Sequence, residues 1–185
     1  MIISIHQPNF FPWLPFFKKM EESNLFVILN HCQFEKNNFQ NRFYYRNSWN
    51  TMSVYKGLDL IIEKKYVNPF EDWKKIKRKL SDKEKTLNNF DECISESLSE
   101  TNVNLITSIA NHLKIKTEIV LDEKTDLLSN ERLISICKKY GASKYIAGAG
   151  GKNYMDLDKF KDAGIEVIFQ DLKEDEKIHT LDVLE

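Results

Sequence analysis

The feature that most constrains this chain is the pair of prolines closing its first apolar run, IISIHQPNFFPW at residues 2–13. Ile2, Ile3 and Ile5 make a run of strand length. Pro8 has no backbone donor and drives the residue before it out of helical geometry, and Pro12 repeats the restriction. The chain must leave the strand through an irregular loop, and a helix can begin only beyond it. Trp13, Phe16, Phe17 and Met20 then recur at i, i+3, i+4 and i+7, one face of a helix over 13–23. LFVIL at 25–29 is a second strand-length run, so the opening reads as a βαβ unit with parallel pairing.

In an open parallel sheet, ligands bind outside the carboxyl ends of the strands. His6 and Gln7 leave the first strand at that edge and are the first candidates for chemistry. The alternative for the same pair is a satisfied half-buried histidine beside a loop hydrogen-bonder.

Beyond residue 29 the pattern changes. Residues 30–47, NHCQFEKNNFQNRFYYRN, mix polar, basic and aromatic side chains without a period. Lys36, Asn41 and Arg42 offer donors, and Phe34, Phe39, Phe43, Tyr44 and Tyr45 offer faces for a flat or sugar-like group. The stretch reads as a ligand-binding loop or as an exposed hairpin, and a hairpin could carry the site. TMSVY (51–55) and LDLII (58–62), separated by Lys56-Gly57, read as two further strands that extend this hairpin region over about 30–66. From about 70 to 113 the apolar period is helical, and three helices are expected as an insertion or cap on one α/β domain of 185 residues. Asp82 and Glu84 among the lysines of WKKIKRKLSDKEK favour a solvated face over a nucleic-acid helix.

Strand–helix alternation then resumes: a strand at 117–123, a helix at 130–141 ended by Gly141 as its C′ residue, and a strand at 143–151 running into a glycine-rich loop. A loop or helix follows at 153–164 and a last strand at 165–172. The fold class is therefore α/β, a mainly parallel Rossmann-like sheet with helices on both faces. The closing LDVLE breaks off inside an apolar-periodic stretch, and no structure is assigned to it.

The glycine-rich GAGGKNY carries Gly148, Gly150 and Gly151 at a strand exit, where missing side chains let backbone approach a phosphate or carboxylate. Its spacing matches neither GxGxxG nor GxxxxGK[ST], so a plain turn is the alternative. Lys152 follows directly, and Tyr154 would share a sheet edge with His6. Cys32 beside His31 suggests a thiolate pair, yet adjacent residues of an extended chain face opposite ways, which favours an inert thiol. His112 and His179 stand alone in polar sequence and read as structural or solvent-facing. Cys32, Cys93 and Cys137 are odd in number and lack CxxC spacing, so neither a disulfide framework nor a zinc site is expected.

With 27 basic and 28 acidic side chains, a formal charge of -1, the chain is not a nucleic-acid or membrane-surface binder held by net charge. No apolar run approaches the ~20 residues of a membrane span, and no signal-peptide pattern opens the chain, so a cytoplasmic protein is expected.

The same residues carry a family resemblance. IHQPxxxPW at 5–13, FV at 26–27, QFxK at 33–36, QNR at 40–42 and GASKYIAGAGGKNY at 141–154 resemble, in order, the WbqC-like proteins. The resemblance implies a bacterial cytosolic protein of surface-polysaccharide or O-antigen biosynthesis. Family members often carry an aspartate or another residue where this chain has Asn30, His31 and Cys32, which argues against Cys32 as a nucleophile. One expected activity is transfer of an acyl or aminoacyl group to the amine of a nucleotide-linked sugar, with an acyl-carrier protein or CoA thioester as donor and no cofactor. His6 would be the base, with Gln7, Asn41 or amides of the glycine loop as oxyanion donors, and Lys36, Arg42 and Lys152 on the diphosphate. The alternatives are a nucleotidyl or adenylate-forming transferase, for which the HxGH spacing is missing, and a non-catalytic sugar-nucleotide or glycan binding module.

Overall fold

A computed structural model describes residues 1–172 and 178–184. The chain begins with β1 (Ile2–His6), passes through the 7–13 loop into α1 (Leu14–Glu21), and returns in β2 (Leu25–Ile28). A hairpin of β3 (Arg42–Tyr45) and β4 (Ser48–Thr51) follows, then α2 (Pro69–Lys79), α3 (Glu84–Asn88) and α4 (Leu98–His112). The remainder alternates as expected: β5 (Glu118–Leu121), α5 (Ser129–Lys139), β6 (Lys144–Ala147), α6 (Leu157–Asp162) and β7 (Glu166–Phe169).

Five strands form one wholly parallel sheet in the order β5-β2-β1-β6-β7. The period-2 alternation of β2 sends Leu25 and Val27 to one face and Phe26 and Ile28 to the other. On the first face they join Ile3 and Ile5 of β1, Leu133, Ile136 and Cys137 of α5, and Phe160 of α6. On the second they meet Phe16, Phe17 and Met20 of α1 and Leu105, Ile106 and Ile109 of α4. Burial on both faces explains why the strands read as near-continuous apolar runs. From β1 the chain winds outward through β2 to β5, then crosses to the far side of β1 to lay down β6 and β7. The winding therefore reverses between β1 and β6, and outside their carboxyl ends such sheets open a crevice.

The expected strands at 51–55 and 58–62 are not found. The hairpin turns instead at Arg46-Asn47, both left-handed at φ 48° and 59°, the two-residue geometry that matches strand twist. Residues 52–66 hold isolated bridges, Val54 with Tyr66, Gln33 with Leu60 and Lys65 with Ser97, and a 3-10 turn at Ile61–Glu63. Within 70–113, α4 lies against the sheet as the crossover between β2 and β5, and Trp73, Ile76 and Leu87 of α2 and α3 belong to the same core. Gly141 takes the predicted C′ role, with φ 64° and the Ala142 N–H bonded to the Cys137 carbonyl at 2.8 Å. Of the closing LDVLE, Leu181 is buried within a 3-10 turn at Thr180–Asp182 and Leu184 is buried just beyond it, while Glu185 lies outside the described residues. None of the helices among the described residues is long and apolar enough to cross a membrane.

Candidate functional site

At the reversal point lies a cavity of about 630 Å³. His6 and Gln7 enter it from the end of β1, Gly148, Ala149 and Gly150 from the end of β6, and Phe43 and Tyr44 from the hairpin. Lys19 of α1 and His179 complete its polar lining together with Asn9, Asn38 and Gln170. Its rim carries the exposed rings of Trp13, Phe39 and Tyr44. No acidic side chain lines it among the described residues.

The alternation that buries Ile3 and Ile5 on the α5 face turns Ser4 and His6 toward α1, where the His6 ring meets Phe16 edge-on at 4.9 Å. His6 Nδ1 lies 2.8 Å from the Gln7 carbonyl, which can only accept, so Nδ1 carries the proton and Nε2 keeps its lone pair. Burial, reinforced by nearby Lys19, pushes the imidazole down to about 3, so the ring is neutral at physiological pH. Lys19 is 1% exposed, its Nζ stands 5.8 Å from the Phe26 ring centroid, and no hydrogen-bond acceptor reaches it among the described residues. Burial pushes that amine down to about 7.

His179 lies in an aromatic cage rather than in polar surroundings. It stacks on Phe11 at 6.1 Å and 10° and approaches Phe43 at 5.1 Å and Tyr45 at 5.0 Å. Its Nδ1 accepts the Leu181 N–H at 3.2 Å, which leaves the proton on Nε2, an atom buried without a partner among the described residues. Burial pushes this histidine down to about 4.

The 7–12 loop is held by groups far off in sequence. Asn102 of α4 donates to the carbonyls of Pro8, at 2.8 Å, and Gln40, at 2.7 Å, while Gln40 donates to Gln7 Oε1 at 2.8 Å. Fully buried Phe11 sits at φ 49°, a left-handed conformation costing a bulky residue ~1–3 kcal/mol, so this lattice of bonds holds a strained segment against the cavity.

Comparison with known families draws on the same stretches: the model of the WbqC-like protein family matches residues 7–179. The chain belongs to the WbqC-like family. A curated relative in Mycobacterium tuberculosis (strain ATCC 25618 / H37Rv), described as uncharacterized protein Rv1507c, is 25% identical over 188 residues, covering 91% of this chain and 81% of its own length. No solved structure matches.

In this WbqC-like protein, His6, Gln7, Gly148 and Gly150 share the cavity with the rings of Phe39, Phe43 and Tyr44, whereas Lys36, Asn41, Arg42, Gly151, Lys152 and Tyr154 do not line it. Asn41 is 8% exposed and donates to the Met52 carbonyl at 2.8 Å, tying the hairpin's ends. Arg42 lies 3.9 Å from the Trp49 ring centroid and donates to the Asn37 carbonyl. The QNR motif thus reads as scaffold: Gln40 holds the loop, Asn41 and Arg42 the hairpin. Lys36 borders a second depression together with Gln7 and Cys32. A Cβ on Gly151 would come within 3.0 Å of Met155 Sδ and 3.1 Å of Phe169, so that glycine serves packing, whereas Gly148 and Gly150 open onto space. Lys152 lies 5.6 Å from the Phe169 ring centroid, and Tyr154 is exposed. Cys32 lies outside the cavity, and burial pushes its thiol up, away from the thiolate. Among the described residues no group of three His, Cys, Asp or Glu could hold a metal ion.

Lys19 escaped the sequence reading, which takes His179 as structural or solvent-facing rather than as part of a site. Lys19 follows Lys18 on an amphipathic helix, where a solvated pair is the ordinary outcome, and only the amphipathic phase set by Phe16 and Met20 hints that it turns inward. His179 gives no local signal, because its cage comes from residues more than a hundred positions away.

Proposed function

We propose that this protein binds a nucleotide-linked amino sugar in the cavity between the ends of β1 and β6 and transfers an acyl or aminoacyl group to its amine. The donor is a CoA or carrier-protein thioester, or an aminoacyl donor, and the setting is the O-antigen type of surface-polysaccharide synthesis that the family name suggests. The observation that carries this reading is the His6 Nε2 lone pair in a crevice with an aromatic rim and unpartnered donors. Aromatic faces suit a base or a sugar ring. Nε2 accepts a hydrogen bond from the sugar amine, which turns the amine's lone pair toward the acyl carbonyl. As nitrogen attacks, its N–H becomes acidic enough to pass to a weakly basic imidazole; the tetrahedral intermediate then collapses with cleavage of the donor's C–S bond, and the imidazolium returns the proton to the departing thiolate. The bond from Gln40 to Gln7 Oε1 orients the Gln7 side-chain amide, whose N–H and the backbone amides of the 148–150 loop are the candidate donors for the oxyanion.

The test is a mass-spectrometric screen of acyl-CoA and aminoacyl donors against nucleotide amino sugars, with wild type, His6→Ala and Cys32→Ser. Wild type should yield the acylated sugar nucleotide, His6→Ala should lose ~10²–10⁴-fold in turnover, and Cys32→Ser should lose little. An acyl adduct trapped on Cys32 would replace this mechanism with a thioester one. A non-catalytic binding module is the second reading, favoured by the upward-shifted thiols of Cys32, Cys93 and Cys137 and the weak basicity of His6. Tight binding of the sugar nucleotide without turnover, unaffected by His6→Ala, would select it.

A further inference from the structure

We infer that the cavity seats an anionic group of its ligand against Lys19 Nζ, with the His179 Nε2–H as a second donor, and that binding there takes up a proton. The inference rests on the cavity being the ligand site and identifies the cation that reads the ligand's charge. Buried ammonium groups in folded proteins are paired, because an unpaired charge in apolar surroundings is costly. Among the described residues Lys19, 1% exposed, has no acceptor within reach, and no carboxylate lines the cavity. His179 Nε2 is likewise buried on the same cavity with no partner among the described residues. Two orphan donors call for an acceptor-rich group. The lysines and arginine expected to hold a diphosphate, Lys36, Arg42 and Lys152, stay outside.

Among the described residues the titratable groups facing this space are His6 from β1, Tyr44 from β3 and His179 from the C-terminal segment, while β2 presents the uncharged ring of Phe26. Both histidines are neutral well below pH 7, so near neutrality the proton moves on Lys19. At pH 7 that amine is about half protonated, and an anion beside it draws in the remaining fraction.

Sulfate and UDP-glucose test this, because neither titrates between pH 5.5 and 8.5. Calorimetric titration in buffers of different ionisation enthalpy should give roughly half a proton taken up per anion at pH 7 and close to none at pH 5.5. Lys19→Met, which keeps bulk and removes the buried charge, should abolish the uptake and weaken binding at pH 5.5 by about tenfold or more. Should that variant fail to fold, the pH dependence of uptake in wild type decides alone. Binding without proton uptake, unchanged affinity in Lys19→Met, or no binding of either anion at millimolar concentration overturns the inference. UDP-glucose bound without uptake overturns it while sparing the proposed function. Sulfate bound with uptake, and no nucleotide sugar bound, supports it while overturning that function.

Discussion

Protonating His179 would strand a charge among Phe11, Phe43 and Tyr45, and protonating His6 would add one beside Lys19. Both groups have folded-state values below their ordinary 6.5, about 4 and about 3, so between those values and 6.5 the unfolded chain binds more protons. Stability therefore rises with pH across that window and is lost as pH falls through it. For His179 the shift corresponds to roughly 3 kcal/mol at most. Urea unfolding at pH 4.5 and 6.5 should show the wild type markedly weaker at the lower value, with a shallower dependence in His179→Phe, which fits the cage. A dependence unchanged in that variant would remove His179 from the account. At this scale the sequence was legible where a proline fixed the backbone: His6 and Gln7 stand at a strand exit because Pro8 permits nothing else. It was opaque for Lys19 and His179, whose burial is decided by distant contacts.

Elements whose apolar period carried the signal, α1, β2, β5, α5, β6 and β7, lie where the sequence put them. The hairpin falls inside the region read as one, but the strands expected at 51–55 and 58–62 do not form: its turn, Arg46-Asn47, lacks the glycine that marks such turns, whereas Lys56-Gly57 looks like such a turn and closes only a loop. There the Gly57 carbonyl accepts from buried Lys64 Nζ at 3.1 Å, which also pairs with Asp59 at 2.7 Å. Asp122, just past β5, joins elements that no local pattern links. Its carboxylate pairs with Arg132 of α5 and accepts the Asn30 N–H at 2.7 Å, fixing the chain beyond β2. Both side chains of the pair are at most 7% exposed. Asp122→Ala leaves Arg132 buried and uncompensated and should cost roughly 3–5 kcal/mol in urea unfolding. Asp122→Ala with Arg132→Met should recover much of that loss, and a double variant no more stable than the single one would show that the backbone bond to Asn30, not the ion pair, carries the effect.

One cooperative unit is expected of the whole molecule, although the sequence suggested a helical insertion at 70–113 on an α/β domain. The reason lies in Phe11, whose ring meets Phe43 of the hairpin at 5.4 Å, Trp73 of α2 at 6.3 Å, Phe90 at 5.4 Å and His179 at 6.1 Å. A single residue of the first loop thus joins the hairpin, the helical segment and the C-terminal turn, and the cluster continues through α1 and β2 to the sheet. Separating the helical segment from the sheet would expose that shared core on both sides, a loss neither part could offset alone. Calorimetry should give one endotherm whose van't Hoff and calorimetric enthalpies agree, on the order of 130 kcal/mol near 60 °C at this length. Phe11→Ala opens a cavity at the junction, costing about 3–5 kcal/mol less any relief of backbone strain, and should lower the midpoint while keeping a single transition. Two resolved transitions in wild type, or a protease-resistant fragment confined to one side of the junction, would instead make the helical segment a separate folding unit carried on the sheet.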